Sequence, residues 1–138
     1  MKVKIPKNQD SVMSPESVNN IFTEILRAES ELDQGREHFW VVGLSTQNRI
    51  KVIELIGIGT VDNCAVYTKE IFRTLLHYNC TNFIVVHNHF ETVKPSTQDN
   101  TIMNHIKSGT EFIGVNLLDS IIVCKDKGYF IYKENGML

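Results

Sequence analysis

The chain predicts an α/β (α+β) fold, a mixed central sheet flanked by helices, and three observations point to it. Strand-forming runs ("HFWVVGL", "RIKVIELIGIGT", "NFIVV") alternate with segments whose apolar residues recur at helical spacing. One of those runs, "NFIVV", has no polar alternation and so belongs in the middle of a sheet covered on both faces. With 138 residues, 42% of them apolar, the chain makes a single domain whose core needs no cross-links.

The elements follow in order. Residues 1–13, beginning "MKVKIPKNQD", read as a polar N-terminal tail. Residues 14–35 predict a leading helix and a linker: Ser14-Pro15 opens the helix, and Val18, Ile21, Phe22, Ile25 and Leu26 share one face. Residues 36–138 form the main domain. It starts with two long strands joined by the polar turn "STQN", an antiparallel hairpin. In "AVYTKEIFRTLLHYN", Val66, Ile71, Phe72, Leu75 and Leu76 make a helical face, and "NFIVV" follows as the central strand. A further helix starts after Pro95 and runs through Ile102, Met103 and Ile106, with Gly109 expected to end it. The remainder, "GVNLLDSIIVCKDKGYFIYKENG", gives two or three strands with a turn at "KDKG".

Composition excludes several classes of function. The formal charge is −2 with acids and bases interspersed, so the broad basic footprint of a nucleic-acid binder is missing. No secretory signal or membrane-spanning run is visible, which makes the cytoplasm the expected location. Cys64, Cys80 and Cys124 are odd in number and contain no C-x-x-C pair, and read as reduced, mostly buried thiols.

The chemistry concentrates in "HNHFETVKPSTQD", residues 87–99. On an extended chain residues i and i+2 face the same way, so His87 and His89 present their imidazoles to one point while Asn88 turns aside. Asp99 falls three places after Ser96, in the first turn of the predicted helix, where the helix end favours a negative charge. Two imidazoles and a carboxylate suit a catalytic zinc, since three protein ligands leave the fourth tetrahedral position for water. The same residues also have plain readings: His-x-His as turn chemistry, and Ser96 to Asp99 as an N-cap with an acidic third position. The candidate base is Glu37 in "REHFWVVGL", either a solvated acid at a strand end or a carboxylate whose pKa the apolar surroundings raise.

Other readings fall away on spacing. The string "HNH" is not the nuclease motif of that name, whose residues are spread over a longer ββα unit. A zinc deaminase needs His-x-Glu followed by a later Pro-Cys-x-x-Cys, and no Pro-Cys-x-x-Cys occurs. His38 points to the strand face opposite Glu37, and His77 and His105 fall on helices; all three read as packed or surface residues. "GIGT", residues 57–60, lacks the glycine spacing of a phosphate loop and reads as a strand exit.

Taken together, "EHFWVVGLSTQNRI", "GTVDNCAVYTKEIFRTLLHYNCTNFIVVHNH", "PSTQD" and "LLDSIIV" resemble the RadC family of JAB/MPN domains over about Arg36 to Tyr132. The family pattern is an upstream Glu, His-x-His, a loop and Ser-x-x-Asp, the JAMM motif. The resemblance implies the cytidine-deaminase-like JAB/MPN fold, one Zn2+ on His87, His89 and Asp99, Glu37 as general acid/base, and Ser96 steadying an oxyanion. It implies hydrolysis of an amide or isopeptide bond in a peptide or protein substrate. Two other roles stay open: a non-catalytic zinc-containing interaction module, in which the altered loop no longer admits substrate, and, implied by family association alone, an accessory protein of DNA repair or recombination.

The chain departs from the family pattern in three places. The usual Pro-Ser-Gly-Asp turn after the second His is replaced by "FETVKPS", with the His89-to-Asp99 spacing one residue shorter. Asp119-Ser120 stands where the family has Asp-His. Longer RadC proteins also carry a helix-hairpin-helix segment, for which the stretch before Arg36 is too short; the expectation is a JAB/MPN domain with one extra helix.

Overall fold

Regular structure in the computed structural model, which describes residues 1–6, 14–59 and 64–138, begins at a capped helix. Ser14 Oγ accepts the Ser17 N–H at 3.2 Å and Ser17 Oγ accepts the Ser14 N–H at 3.2 Å, so two donors that helix geometry leaves open are satisfied. This cap starts α1 (Pro15–Arg27), which buries Val18, Ile21, Phe22 and Ile25 as its spacing predicts. A short helix, α2 (Glu31–Gln34), capped by Ser30, occupies what reads as linker.

The hairpin is present as β1 (His38–Leu44) and β2 (Ile50–Ile58), antiparallel, with Asn48 of the "STQN" turn at φ 59°. After α3 (Cys64–His77) comes β3 (Asn82–His89), then α4 (Thr97–Ile113), β4 (Asn116–Cys124) and β5 (Gly128–Ile131). The strand order is β2-β1-β3-β4-β5. β3 pairs antiparallel with β1 and parallel with β4, so the sheet is mixed and "NFIVV" is its centre, as predicted. The parallel β3–β4 pair needs a crossover, and α4 provides it.

Each face of the sheet carries its own core. On one side Phe39, Val41, Phe83, Val85 and Ile122 pack with Ile71, Phe72 and Leu75 of α3 and Ile102, Met103 and Ile106 of α4. On the other, Trp40, Val42, Ile84, Val86, Ile121 and Val123 pack against α1. At the outer edge of β2, residues 1–3 lie alongside the strand: Val3 N–H donates to Ile53 C=O at 2.7 Å and Leu55 N–H to Met1 C=O at 2.8 Å. Cys80 and Cys124 are buried free thiols. The side chains of Cys64 and Val66, expected to be buried, and the strand exit at Thr60 lie outside what the structure describes. Among those described, no helix is long and apolar enough to cross a membrane.

Two expectations need correction. Leu76 is exposed, because the buried stripe of α3 runs through Ile71, Phe72 and Leu75 and the next residue is rotated about 100° away from it. Gly109 does not end α4, which continues to Ile113 and stops at Gly114, whose φ of 75° is the left-handed cap that glycine favours. Gly109 is instead a close approach: a Cβ there would sit 2.5 Å from the Phe72 ring, so its missing side chain lets α3 and α4 pack together.

Candidate metal centre

The centre forms where the C-terminal end of β3 meets the N-terminal end of α4. β3 extends three residues past "NFIVV", which keeps His87 and His89 in strand conformation and on the same face. Their ring centroids are 5.0 Å apart. Ser96 caps α4 as its spacing suggested: Ser96 Oγ accepts the Asp99 N–H at 3.1 Å, and Asp99 Oδ2 accepts the Ser96 N–H at 2.7 Å. The cap also aims the carboxylate. Asp99 Oδ1 lies 3.3 Å from His87 Nε2 and Asp99 Oδ2 lies 3.0 Å from His89 Nε2. All three residues are buried, and their nearest ligand atoms fall within 4.8 Å of one another, a group that can hold a metal ion.

The nitrogens fit such an ion. Thr92 C=O lies 3.1 Å from His89 Nδ1, so this nitrogen carries a hydrogen, and loss of the Nε2 proton would leave that nitrogen's lone pair for an ion at the centre. His87 is stacked on Phe39, and neither of its ring nitrogens has a hydrogen-bond partner, although Nε2 points at Asp99. A buried nitrogen without a partner is costly, and a cation between it and the carboxylate would remove that cost.

Charge is already concentrated here. Burial pushes the Asp99 carboxyl up, but the two imidazoles and the Ser96 N–H pull it down further, to well below the usual carboxylate range. The hydrogen bond to Asp99 raises His89 above the ordinary imidazole value against the cost of burial, and the charges of Asp99 and Glu37 add to the rise. Burial, then the charge of Asp99, raises the Tyr132 hydroxyl, which stays a donor and gives its hydrogen to Asn100 Oδ1 at 3.3 Å.

These shifts set a pH dependence. The raised His89 favours the metal-free fold below about 6.5, the unperturbed imidazole value, and that support is lost as pH rises through its folded pKa. The lowered Asp99 favours the fold above about 3.9 and is lost only in strong acid. A bound cation must displace the His89 proton. The rise in melting temperature on adding zinc is therefore expected to grow from pH 6 to pH 8; a rise independent of pH over that range would show that His89 is not a ligand.

Glu37 lies one residue before β1 and is exposed, not enclosed by the apolar strand that follows it. Sheet pairing nevertheless brings it to the centre, because Phe39 lies opposite His87 in the β1–β3 register. Glu37 borders a cavity of about 350 Å³ together with His89, Phe90, Glu91 and Thr92. The loop after His89 thus edges an open cleft and does not fill it. A second hollow, of about 340 Å³, runs from α1 past Asn88 and also reaches His89 and Phe90. His38 is buried against Trp40 on the opposite face of β1, as expected. At the Asp119-Ser120 departure, Asp119 Oδ1 accepts the N–H groups of Ser120 and Lys133, at 2.8 and 3.0 Å, and ties β4 to the chain beyond β5.

Two participants escape the motif. The Thr92 carbonyl leaves no trace in the sequence, since any residue supplies one. Asn88 did carry a signal: an amide in the middle of a central strand must find partners.

A family model described as RadC-like JAB domain matches residues 12–137. The chain is 36% identical to a UPF0758 protein of Chlorobium chlorochromatii over 107 residues, 77% of this chain and 48% of that one. It is 35% identical to one of Aliivibrio salmonicida over 121 residues (87% and 51%), and 32% identical to one of Desulfitobacterium hafniense over 128 residues (92% and 54%). The chain spans about half the length of these curated relatives. The match covers the whole five-stranded sheet and every helix packed on it, an architecture consistent with a JAB/MPN domain. On both grounds the chain belongs to the RadC-like JAB domain family.

Proposed function

We propose that this domain is a zinc-dependent hydrolase of the JAMM type, cleaving an amide or isopeptide bond of a peptide or protein. The observation that carries the proposal is the convergence of His87, His89 and Asp99 beside a cavity that Glu37 borders. These three residues would hold the ion, with one imidazole fixed by Thr92 and the carboxylate fixed by the Ser96 cap. When bound, zinc supplies a Lewis acid and lowers the pKa of its water toward about 7.

The chain's own groups supply the remainder. Glu37, exposed to the cleft and held by its backbone alone, takes the proton of the attacking water and returns it to the leaving amine. Ser96 Oγ already accepts the Asp99 N–H, which leaves its hydroxyl hydrogen to donate to the oxygen that gains charge at the scissile carbonyl. Phe90, at 41% exposure, gives the cleft an apolar wall for a substrate side chain.

The test is hydrolysis of a peptide and isopeptide library by the zinc-loaded chain, by the chelated chain, and after zinc is restored. Cleavage that disappears on chelation and returns with zinc supports the proposal. Cleavage that persists without metal contradicts it. Zinc binding without any cleavage favours the non-catalytic interaction module.

A further inference from the structure

The residue between the two histidines has hydrogen bonds of its own. Asn88 is 2% exposed and lies on the sheet face opposite the ligands. Its Oδ1 accepts the His38 N–H at 2.5 Å, and its Nδ2 donates to the Arg36 C=O at 3.1 Å. Those two backbone groups stand on either side of Glu37. The Arg36 carbonyl also lies 2.8 Å from His38 Nδ1, and the Glu37 carbonyl accepts the Gly59 N–H at 2.7 Å. The Arg36 carbonyl, the Glu37 carbonyl and the His38 N–H are therefore all held, while the Glu37 side chain stands exposed at the cleft.

We infer that Asn88 is a positioning residue for Glu37: its carboxamide grips the backbone before and after Glu37 and so fixes where the carboxylate stands relative to His87 and His89. The inference rests on the role proposed above for Glu37. An amide suits the task because it offers one acceptor and one donor in a single plane, which match an N–H and a C=O two residues apart. Aspartate has no donor for Arg36, and serine is too short to reach both groups. Because Asn88 is flanked by both histidines, three consecutive residues of β3 set the metal ligands and the acid–base group together. A β1 end tied only through the ladder would fray, since terminal pairs are where sheets open first.

The experiment uses cobalt in place of zinc, because the visible spectrum of cobalt reports its surroundings without any substrate. The spectrum is followed across pH for wild type, Glu37→Gln, Asn88→Ala and the double variant, at matched cobalt occupancy. Glu37→Gln is expected to displace the pH midpoint. Asn88→Ala should displace it in the same direction by at least half as much, and the double variant no further than Glu37→Gln alone, as coupled residues require. If Asn88→Ala keeps the wild-type midpoint while Glu37→Gln moves it, or if the two displacements add, the inference is overturned and the role of Glu37 stands. If Glu37→Gln leaves the midpoint in place, Glu37 does not face the metal and both readings fall. Should Asn88→Ala not fold, Asn88→Ser keeps a polar atom in place without spanning both partners, and the same comparison applies.

Discussion

Glu37→Gln should reduce turnover by about 10²–10⁴ while leaving the zinc content unchanged, since that is the usual worth of general acid–base catalysis. The two halves of the expectation have separate causes. Glu37 lies outside the group of ligand atoms, so its charge is not needed to hold the ion. It borders the same cavity as His89, and in the proposed mechanism its carboxylate carries the proton there. Glutamine keeps the size and the hydrogen-bonding ability of the side chain and removes only its basicity. The substitution therefore leaves the backbone at the start of β1 undisturbed. The measurement is hydrolysis of the same library by wild type and variant at equal zinc occupancy. Equal rates would remove Glu37 from the mechanism, and parallel loss of zinc and activity would make it a ligand.

His87→Ala should lower zinc affinity by more than about 100-fold, because loss of a group that merely orients a ligand already costs about 10–100-fold. Among the three candidate ligands His87 is the cleanest to remove. His89 is tied to Thr92, and Asp99 is half of the α4 cap, so replacing either disturbs a loop or a helix end as well. His87 has no hydrogen bond to lose; its ring meets the Phe39 stack, the His89 ring and the Asp99 carboxylate. The metal-free variant is therefore expected to fold, with the His89–Asp99 pair intact. Zinc titration beside a thermal melt checks both points: an unchanged affinity would remove His87 from the metal set.

The ligand pair was legible in the sequence because its geometry is local. A period of two puts His87 and His89 on one face of any strand, and Ser-x-x-Asp before an apolar helical pattern is a cap that fixes Asp99. The position of Glu37 was not legible from local pattern. It depends on the β1–β3 register, which places residue 39 opposite residue 87 across 48 residues of chain, and only the resemblance to RadC pointed there. Gly109 misled for a related reason. A glycine in a helical pattern reads as a stop, whereas its cause here is the Phe72 ring from α3, a partner that local sequence does not reveal. The true stop, Gly114, is recognisable only by its left-handed backbone. The "FETVKPS" loop lay between these extremes: its departure from the family turn was visible, but that it edges an open cavity depends on where Phe90 and Thr92 settle around His89.

The central claim is that His87, His89 and Asp99 form one zinc site, and metal content tests it most directly. The chain, purified without chelator and offered zinc, should hold about one zinc per molecule by elemental analysis, as three protein ligands with one open position require. A folded chain that remains metal-free when offered zinc would contradict the account.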